Sequence, residues 1–544
     1  KIGAMIISSG ASSVNAIPGV ANSWIDSTPI LVISGQARSD QSNFSEVRQL
    51  GNKEFNTVRL VKNITKYAVK VTDPNTILYH LTKALHIAMS GKPGPVWLDI
   101  PIDVQGMTID EKDQKKYKIR STPSSLKSIH KKELSKKLSL LKTSLGKSKR
   151  PIILLGNGIR NALFSRIRLE EGLKKLGIPV LLSRRGADLL DDDFDLNFGR
   201  PGAYGQRSAN FIIQNSDLLI TVGSRLSIPL IGRNTNSFAR SAYKVVIDID
   251  EGELNKPTVG IDLKILMSAE SFLTFLFSLK VRFKNSVKTN WIEQCKHWRQ
   301  EFPPDYYLRK AGDPQNQHEN LIFPLSLFRK LNSKLSANTT IVVDGGTPLI
   351  YALLSLRFRG NQRIISSPGL DLKGFALAAS IGTKVSSRNS VMCICEDSGF
   401  MSSAQDLQTI IDYGLDVKIL VVKTGSFSII RNIQIEYFGG RTVGTDQLLN
   451  TTSSLSKIAK AYGFSTFEVK SIKNLDKTLN DFILVDQPAI CVVDVIDDHK
   501  FLPKPGFKIK DDQTWIANPL EDMYPFLERN ELKDNMLIDL YKED

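Results

Sequence analysis

Short apolar runs that end on small or acidic residues, each followed by a stretch with helical spacing, recur from one end of the chain to the other. Ile2 to Ile7, Pro29 to Ser34, Pro151 to Leu155, Asp217 to Val222, Lys244 to Ile249, Thr340 to Val343, Val391 to Cys395, Val417 to Val422 and Ala489 to Val495 are the clearest. Continuous apolar runs of this length predict strands buried on both faces, and the helical spacing between them predicts crossovers, so the pattern predicts an α/β fold with mostly parallel sheets. The run from Val391 breaks on Glu396-Asp397-Ser398-Gly399, and the run from Val417 breaks on Lys423-Thr424-Gly425-Ser426. Ser403 to Ile411 lies between them with spacing suited to a helix against a sheet. Asp397 and Thr424 are therefore expected at the carboxyl ends of two parallel strands, the edge where open α/β sheets bind ligands. A carboxylate beside small residues there can hold a hard cation and a diphosphate.

Composition narrows the class. A chain of 544 residues with 41% apolar content can bury several cores, which suggests three domains. No apolar run is as long as a membrane span and no signal peptide precedes the first strand, so a cytoplasmic protein without a membrane partner is expected. The run into a strand directly from Lys1 leads to the expectation of a truncated start. Cys393 and Cys395 alternate with Met392 and Ile394, which suits core packing better than metal ligation. The net charge of +16 is lysine-rich and densest from Lys112 to Lys149, where Tyr117 is the one aromatic among the lysines. That stretch reads as a solvated linker and not as a nucleic-acid site.

The turns at the predicted strand ends carry further signals. Ser9-Gly10-Ala11-Ser12-Ser13-Val14-Asn15 precedes a helix, and Ser34-Gly35-Gln36 closes the next strand. Ile64 to Tyr67 and Lys92 to Pro101 follow. Gly156, Gly158, Gly202 and Gly223-Ser224-Arg225 punctuate the middle of the chain, and Asp344-Gly345-Gly346-Thr347 and Pro368 to Phe375 stand before the Asp397 segment. In this order the motifs resemble the thiamine-diphosphate enzymes of the acetolactate synthase type, whose signature is Gly-Asp-Gly and, after a fixed spacer, Asn-Asn. Asp397 and Thr424 fall on its two metal-ligand positions with the family's spacing, 424 − 397 = 27. Glu396 and Ser398 replace the flanking glycines, Lys423 and Thr424 replace the asparagines, and Ala11-Ser12 replaces a Pro-Gly.

The resemblance covers essentially the whole chain. It implies three doubly wound domains: a pyrimidine-binding domain at 1–110, a Lys-rich linker at 111–146, a middle domain at 147–285, a diphosphate-binding domain at 320–500, and a tail at 501–544. It implies thiamine diphosphate and Mg²⁺ as cofactors, with FAD a possibility in the middle domain. Asp397, Thr424 and Ser426 would ligate the metal. Gly10, Asn15, Gly346, Thr347, Leu370, Leu372, Lys373, Ser398, Gly399 and Lys423 would line the cofactor, with Lys373, or after a one-residue shift Leu372, at the apolar wedge position. Gln36 would touch the aminopyrimidine or substrate, and Lys53 stands where the branch more often has glutamine. The family's catalytic glutamate falls upstream of Lys1. The implied function is a transferase that decarboxylates a 2-keto acid such as pyruvate and passes the two-carbon unit to a carbonyl acceptor. The alternative is an inactive homologue acting as a cofactor-binding or assembly subunit. Either would be a homodimer or tetramer.

Overall fold

The computed structural model describes residues 2–42, 47–119, 124–162, 164–279, 285–304, 306, 320–424, 428–445, 454–496, 503–509 and 514–542. Its contacts divide the chain into two compact units, one made of residues 1–130 with 367–372 and the other of the remainder.

In the first unit, strands β1 (Gly3–Ile7), β2 (Ile30–Gln36), β3 (Tyr67–Lys70) and β4 (Val96–Pro101) form a parallel sheet in the order β1-β2-β4-β3. Helix α1 (Ala11–Ile25) joins the first two strands. Helix α2 (Ile77–Met89) joins the last two. Side chains alternate across a strand, so consecutive residues serve opposite cores. Leu31, Val96 and Leu98 pack with Ala84 and Ala88 of α2, while Val32 and Trp97 pack with Val20 of α1. Ser367, from far along the chain, joins this unit through hydrogen bonds to Asn22 and Asp26 of the α1 end.

Helix α3 (Ser124–Lys147), whose residues from Lys131 on belong to the second unit, corrects the expectation of a solvated linker at 111–146 over its own span. Leu141 and Leu145 are fully buried, and Leu134 and Leu138 pack beside them in the middle-domain core. Strands β5 (Pro151–Leu155), β6 (Val180–Leu182), β7 (Leu218–Val222), β8 (Tyr243–Asp248) and β9 (Leu263–Leu266) follow in a parallel sheet of order β6-β5-β7-β8-β9. The third sheet contains β10 (Thr339–Val343), β11 (Arg363–Ser366), β12 (Ser390–Glu396), β13 (Val417–Lys423), β14 (Ser465–Val469) and β15 (Ala489–Asp494), in the parallel order β11-β10-β12-β13-β15-β14. Helices α4 (Thr347–Ser355), α5 (Phe375–Ser386), α6 (Asp397–Ser402) and α7 (Ser428–Tyr437) lead away from its carboxyl edge or cover it. The residues after 503 are more than a tail. Leu520, Leu527, Leu532 and Met536 are buried in the middle-domain core, and buried Glu521 pairs with Arg240 at 2.8 Å. The fold is α/β, with three large parallel sheets and, in the C-terminal segment, two short antiparallel pairs, Lys504–Pro505 with Met523–Tyr524 and Phe507–Ile509 with Trp515–Ala517, among the described residues.

Candidate functional site

The carboxyl edge of the third sheet gathers most of the singled-out residues. In the pairing of β12 with β13, Glu396 stands opposite Val422, which sets Asp397 and Thr424 just past the ends of adjacent strands as the sequence predicts. Asp397 is the first residue of α6 and is buried. The Thr424 hydroxyl is buried without a hydrogen-bond partner among the described residues, as is that of Ser398. Ser426 lies outside the described residues.

A charge-assisted interaction at this edge belongs to a residue that the sequence treats only as a lost glycine. Glu396 is buried, and its Oε1 accepts the backbone N–H of Thr347 at 3.0 Å. That N–H opens α4, and its donor is one that a helix leaves unsatisfied and aims at anions. The other oxygen, Oε2, lies 2.9 Å from Lys373 Nζ. Gly346 precedes the helix at φ 82°, and a Cβ there would stand 3.1 Å from Glu396 Oε1 and 3.2 Å from Lys373 Nζ. A carboxylate and its counterion thus fill the cradle at the α4 N-terminus.

Asp344, at the end of β10, is a second feature the sequence passes over. It is fully buried; Oδ1 accepts the N–H of Ala376 at 2.7 Å, and Oδ2 has no hydrogen-bond partner among the described residues. Burial pushes its carboxyl up to about 6, against the lowering effects of the Ala376 N–H and the Lys373 ammonium. Gly399 permits this packing, since a Cβ on it would come within 2.1 Å of Asp344 Oδ2. A carboxylate directly before Gly345-Gly346 at a strand end was the available signal.

Other expected cofactor contacts are placed differently. Lys423 pairs with Asp494 at 3.2 Å, with both side chains substantially exposed. The wedge alternatives separate: Lys373 reaches the cradle, whereas Leu370 and Leu372 belong with the first unit. In that unit Gly10 caps α1 at φ 64°, with the backbone oxygen of Lys53 3.0 Å from where its Cβ would be. Lys53 itself has φ 61°. Asn15 is exposed on α1. Gln36 is buried and committed to its own unit: Nε2 donates to Phe55 O at 2.8 Å and to Asp99 Oδ2 at 2.9 Å, and Oε1 accepts from Ala37 N. In the middle sheet, a Cβ on Gly156 would lie 2.1 Å from Gly223 O and one on Gly158 2.9 Å from Gly223 Cα. Those glycines are accounted for by the close approach of two loops.

Three parallel sheets, with the turns at Asp344, Glu396 and Thr424 on one carboxyl edge, are the architecture that the resemblance implies, and comparison with known families agrees. Residues 1–58 match the thiamine pyrophosphate enzyme N-terminal TPP binding domain, 139–276 the central domain and 344–495 the C-terminal TPP binding domain. The chain is 28% identical over 509 residues to an acetolactate synthase large subunit of Lactococcus lactis, covering 92% of this chain and 83% of the relative. It is 28% identical over 531 residues to a probable acetolactate synthase large subunit of Methanocaldococcus jannaschii, covering 96% and 85%. With the corresponding protein of Porphyra purpurea it shares 26% over 519 residues, covering 92% and 82%. The chain belongs to the thiamine-diphosphate-dependent, acetolactate synthase-like family.

The residues do not fit the family's cofactor as they stand. The Thr347 N–H donates to a carboxylate, the Lys373 ammonium faces that carboxylate, and a phosphate oxygen brought to the same place would meet the Glu396 charge. Among the described residues no group of three His, Cys, Asp or Glu side chains could hold a metal ion. None of the described helices is long and apolar enough to cross a membrane.

Proposed function

We propose that this chain keeps the architecture of the thiamine-diphosphate enzymes but acts as a cofactor-free binding or assembly subunit. One observation carries this reading: Glu396 holds the helix N–H at the α4 cradle and is neutralised by Lys373. Charge-assisted hydrogen bonds of this kind are about twice as strong as neutral ones, and both partners here belong to the chain itself. A diphosphate would have to displace a buried carboxylate and leave it without its counterion, which is unfavourable.

The test is calorimetric titration of thiamine diphosphate with Mg²⁺ into the wild type and into Glu396→Gly/Lys373→Met. Wild type is expected to give no Mg²⁺-dependent binding, and the double variant to acquire it. Tight binding by wild type, with CO₂ released from pyruvate, would overturn the proposal. A second reading, the 2-keto-acid carboligase, is favoured by the buried, unpartnered Thr424 hydroxyl next to the strand that carries Asp397. On that reading Asp397→Ala abolishes cofactor binding in wild type, and Thr424→Asn tightens it, because an amide oxygen is the better ligand for a hard cation.

A further inference from the structure

A cavity of about 530 Å³ lies within the second unit, where residues 192–208 and the helix Asn285–Glu301 of the middle domain meet the helix Pro324–Lys334 and the end of α4. Its size falls in the roughly 300–1,000 Å³ range of small-molecule pockets. Ser355, one of its lining residues, is the last of α4, so it stands roughly 12 Å along that helix from Thr347 and the Glu396 cradle.

Among the described residues the charged lining is four arginines against two aspartates, a surplus of two positive charges. Both aspartates are engaged across the seam of the two domains. Asp192 accepts from Nη1 of the buried Arg200 at 3.1 Å on each oxygen, and from the Phe358 N–H at 2.7 Å. Arg200 also donates to the carbonyls of Leu353 and Leu356, at 2.8 and 3.0 Å. Asp193 pairs with Arg357. The other two arginines come from opposite sides of the seam. Arg299, on the middle-domain helix, gives Nη1 to the Asn197 carbonyl at 3.1 Å and lies 5.0 Å from the centroid of the Phe198 ring, which fixes its guanidinium and leaves further donors. Arg329 is exposed on the helix Pro324–Lys334. The Ser355 hydroxyl is buried without a partner among the described residues, and Phe198, Leu325 and Leu354 add apolar lining.

Guanidiniums bind carboxylate and phosphate oxygens through planar, paired donors, and a cleft lined by one excess sign of charge concentrates ions of the other. The apolar lining favours an ion with a carbon body over a bare inorganic one. We infer that this cavity binds a small organic dianion, its oxyanion groups toward Arg299 and Arg329 and its short carbon body against Phe198 and Leu325. Such a ligand ties the middle domain to the third and gives the chain an effector site. The inference goes beyond the cradle at Glu396 and does not depend on it, because none of the residues invoked belongs to that cradle.

The full chain is titrated calorimetrically in a zwitterionic buffer, without thiamine diphosphate, with succinate, glutarate and glycerol 3-phosphate. Butyrate, which lacks the second charge, and inorganic phosphate, which lacks the carbon body, are the control probes. At least one of the three organic dianions is expected to bind at one site per chain and to raise the thermal midpoint, with both control probes weaker by about tenfold or more. A dicarboxylate as the best ligand assigns the site to two carboxylates, and glycerol 3-phosphate assigns it to a phosphate monoester. Arg299→Gln and Arg329→Gln should each weaken binding by about tenfold or more. Arg299→Lys, which keeps the charge but loses the paired donors, should recover only part. Because Arg329 is exposed, its variant should keep the ligand-free thermal midpoint, and it carries the test if Arg299→Gln fails to fold. The inference is overturned if none of the three dianions binds, if Arg329→Gln binds like wild type, or if either control probe binds as tightly as the best dianion.

Discussion

Among single residues, the Glu396–Lys373 pair illustrates the boundary of what a sequence can say. Both positions were recognisable as departures from a motif, but the two stand 23 positions apart, and only the turn that returns Lys373 to the α4 N-terminus shows that the departures compensate each other. Asp344 was equally visible as a residue and invisible as a problem, because its burial comes from α5, α6 and β12 folding over it. Its carboxyl is held at about 6 rather than the usual 3.8, with Lys373, Glu396 and Cys395 as the titratable neighbours. The folded state therefore keeps the proton more tightly than the unfolded one. The contribution is fully present below about pH 4 and is lost as pH rises toward about 6. From about pH 4.5 to pH 7 this one group should lower wild-type stability by roughly 2 kcal/mol. Asp344→Asn should lack that decline, so the variant should gain on wild type as pH rises. Urea midpoints at the two pH values test it, and a constant gap between the two proteins would refute the assignment.

Secondary elements were legible where one pattern dominated. The strands at the Asp397 and Thr424 edge announced themselves through apolar runs, and their register then placed both side chains as expected. Lysine-rich composition masks helix α3 in the sequence, although its spacing is there: Leu134, Leu138, Leu141 and Leu145 recur at intervals of four, three and four, one helical face. Composition averages over all faces of a helix, whereas burial depends on one. Leu141→Ala should therefore destabilise the second unit by about 2–5 kcal/mol, a loss foreign to a solvated linker. The C-terminal segment reads as a tail for another reason, since its partners in the middle domain lie some 300 positions upstream, as in the contact of Gln214 with Glu521. Where α6 begins, Gly399→Ala should cost about 1–3 kcal/mol, because the methyl would enter the space of Asp344 Oδ2 and that oxygen is enclosed. Thermal denaturation of the two variants against wild type measures both, and a neutral Leu141→Ala would return α3 to the linker class.

For the molecule as a whole, the order and class of the three sheets were readable because each repeats one local grammar, but self-association was expected only from the family resemblance, in which a cofactor site is shared between subunits. The first unit gives that expectation a physical handle. On α1, Val14, Ile17, Ala21 and Trp24 recur at intervals of three, four and three, which aligns them along one stripe, and Val14 and Trp24 are 43% and 41% exposed. Ile17 packs into the core of its own unit, but the exposed Val14 and Trp24, and the exposed Ile6 of edge strand β1, are apolar surface that a second copy of the chain would remove from water. The chain is thus expected to be at least a dimer at micromolar concentration, with or without thiamine diphosphate, since the stripe needs no cofactor to be apolar. Trp24→Glu places a charge at the end of that stripe, where burial against another chain would be strongly unfavourable, while its exposure lets the single chain tolerate it. Sedimentation velocity should show the wild type as a dimer or larger, and Trp24→Glu shifted toward monomer with its far-UV circular dichroism unchanged. If the variant remains fully associated, α1 is not the contact, and if the wild type is itself a stable monomer, this chain has parted from its family in assembly as well as in its cradle.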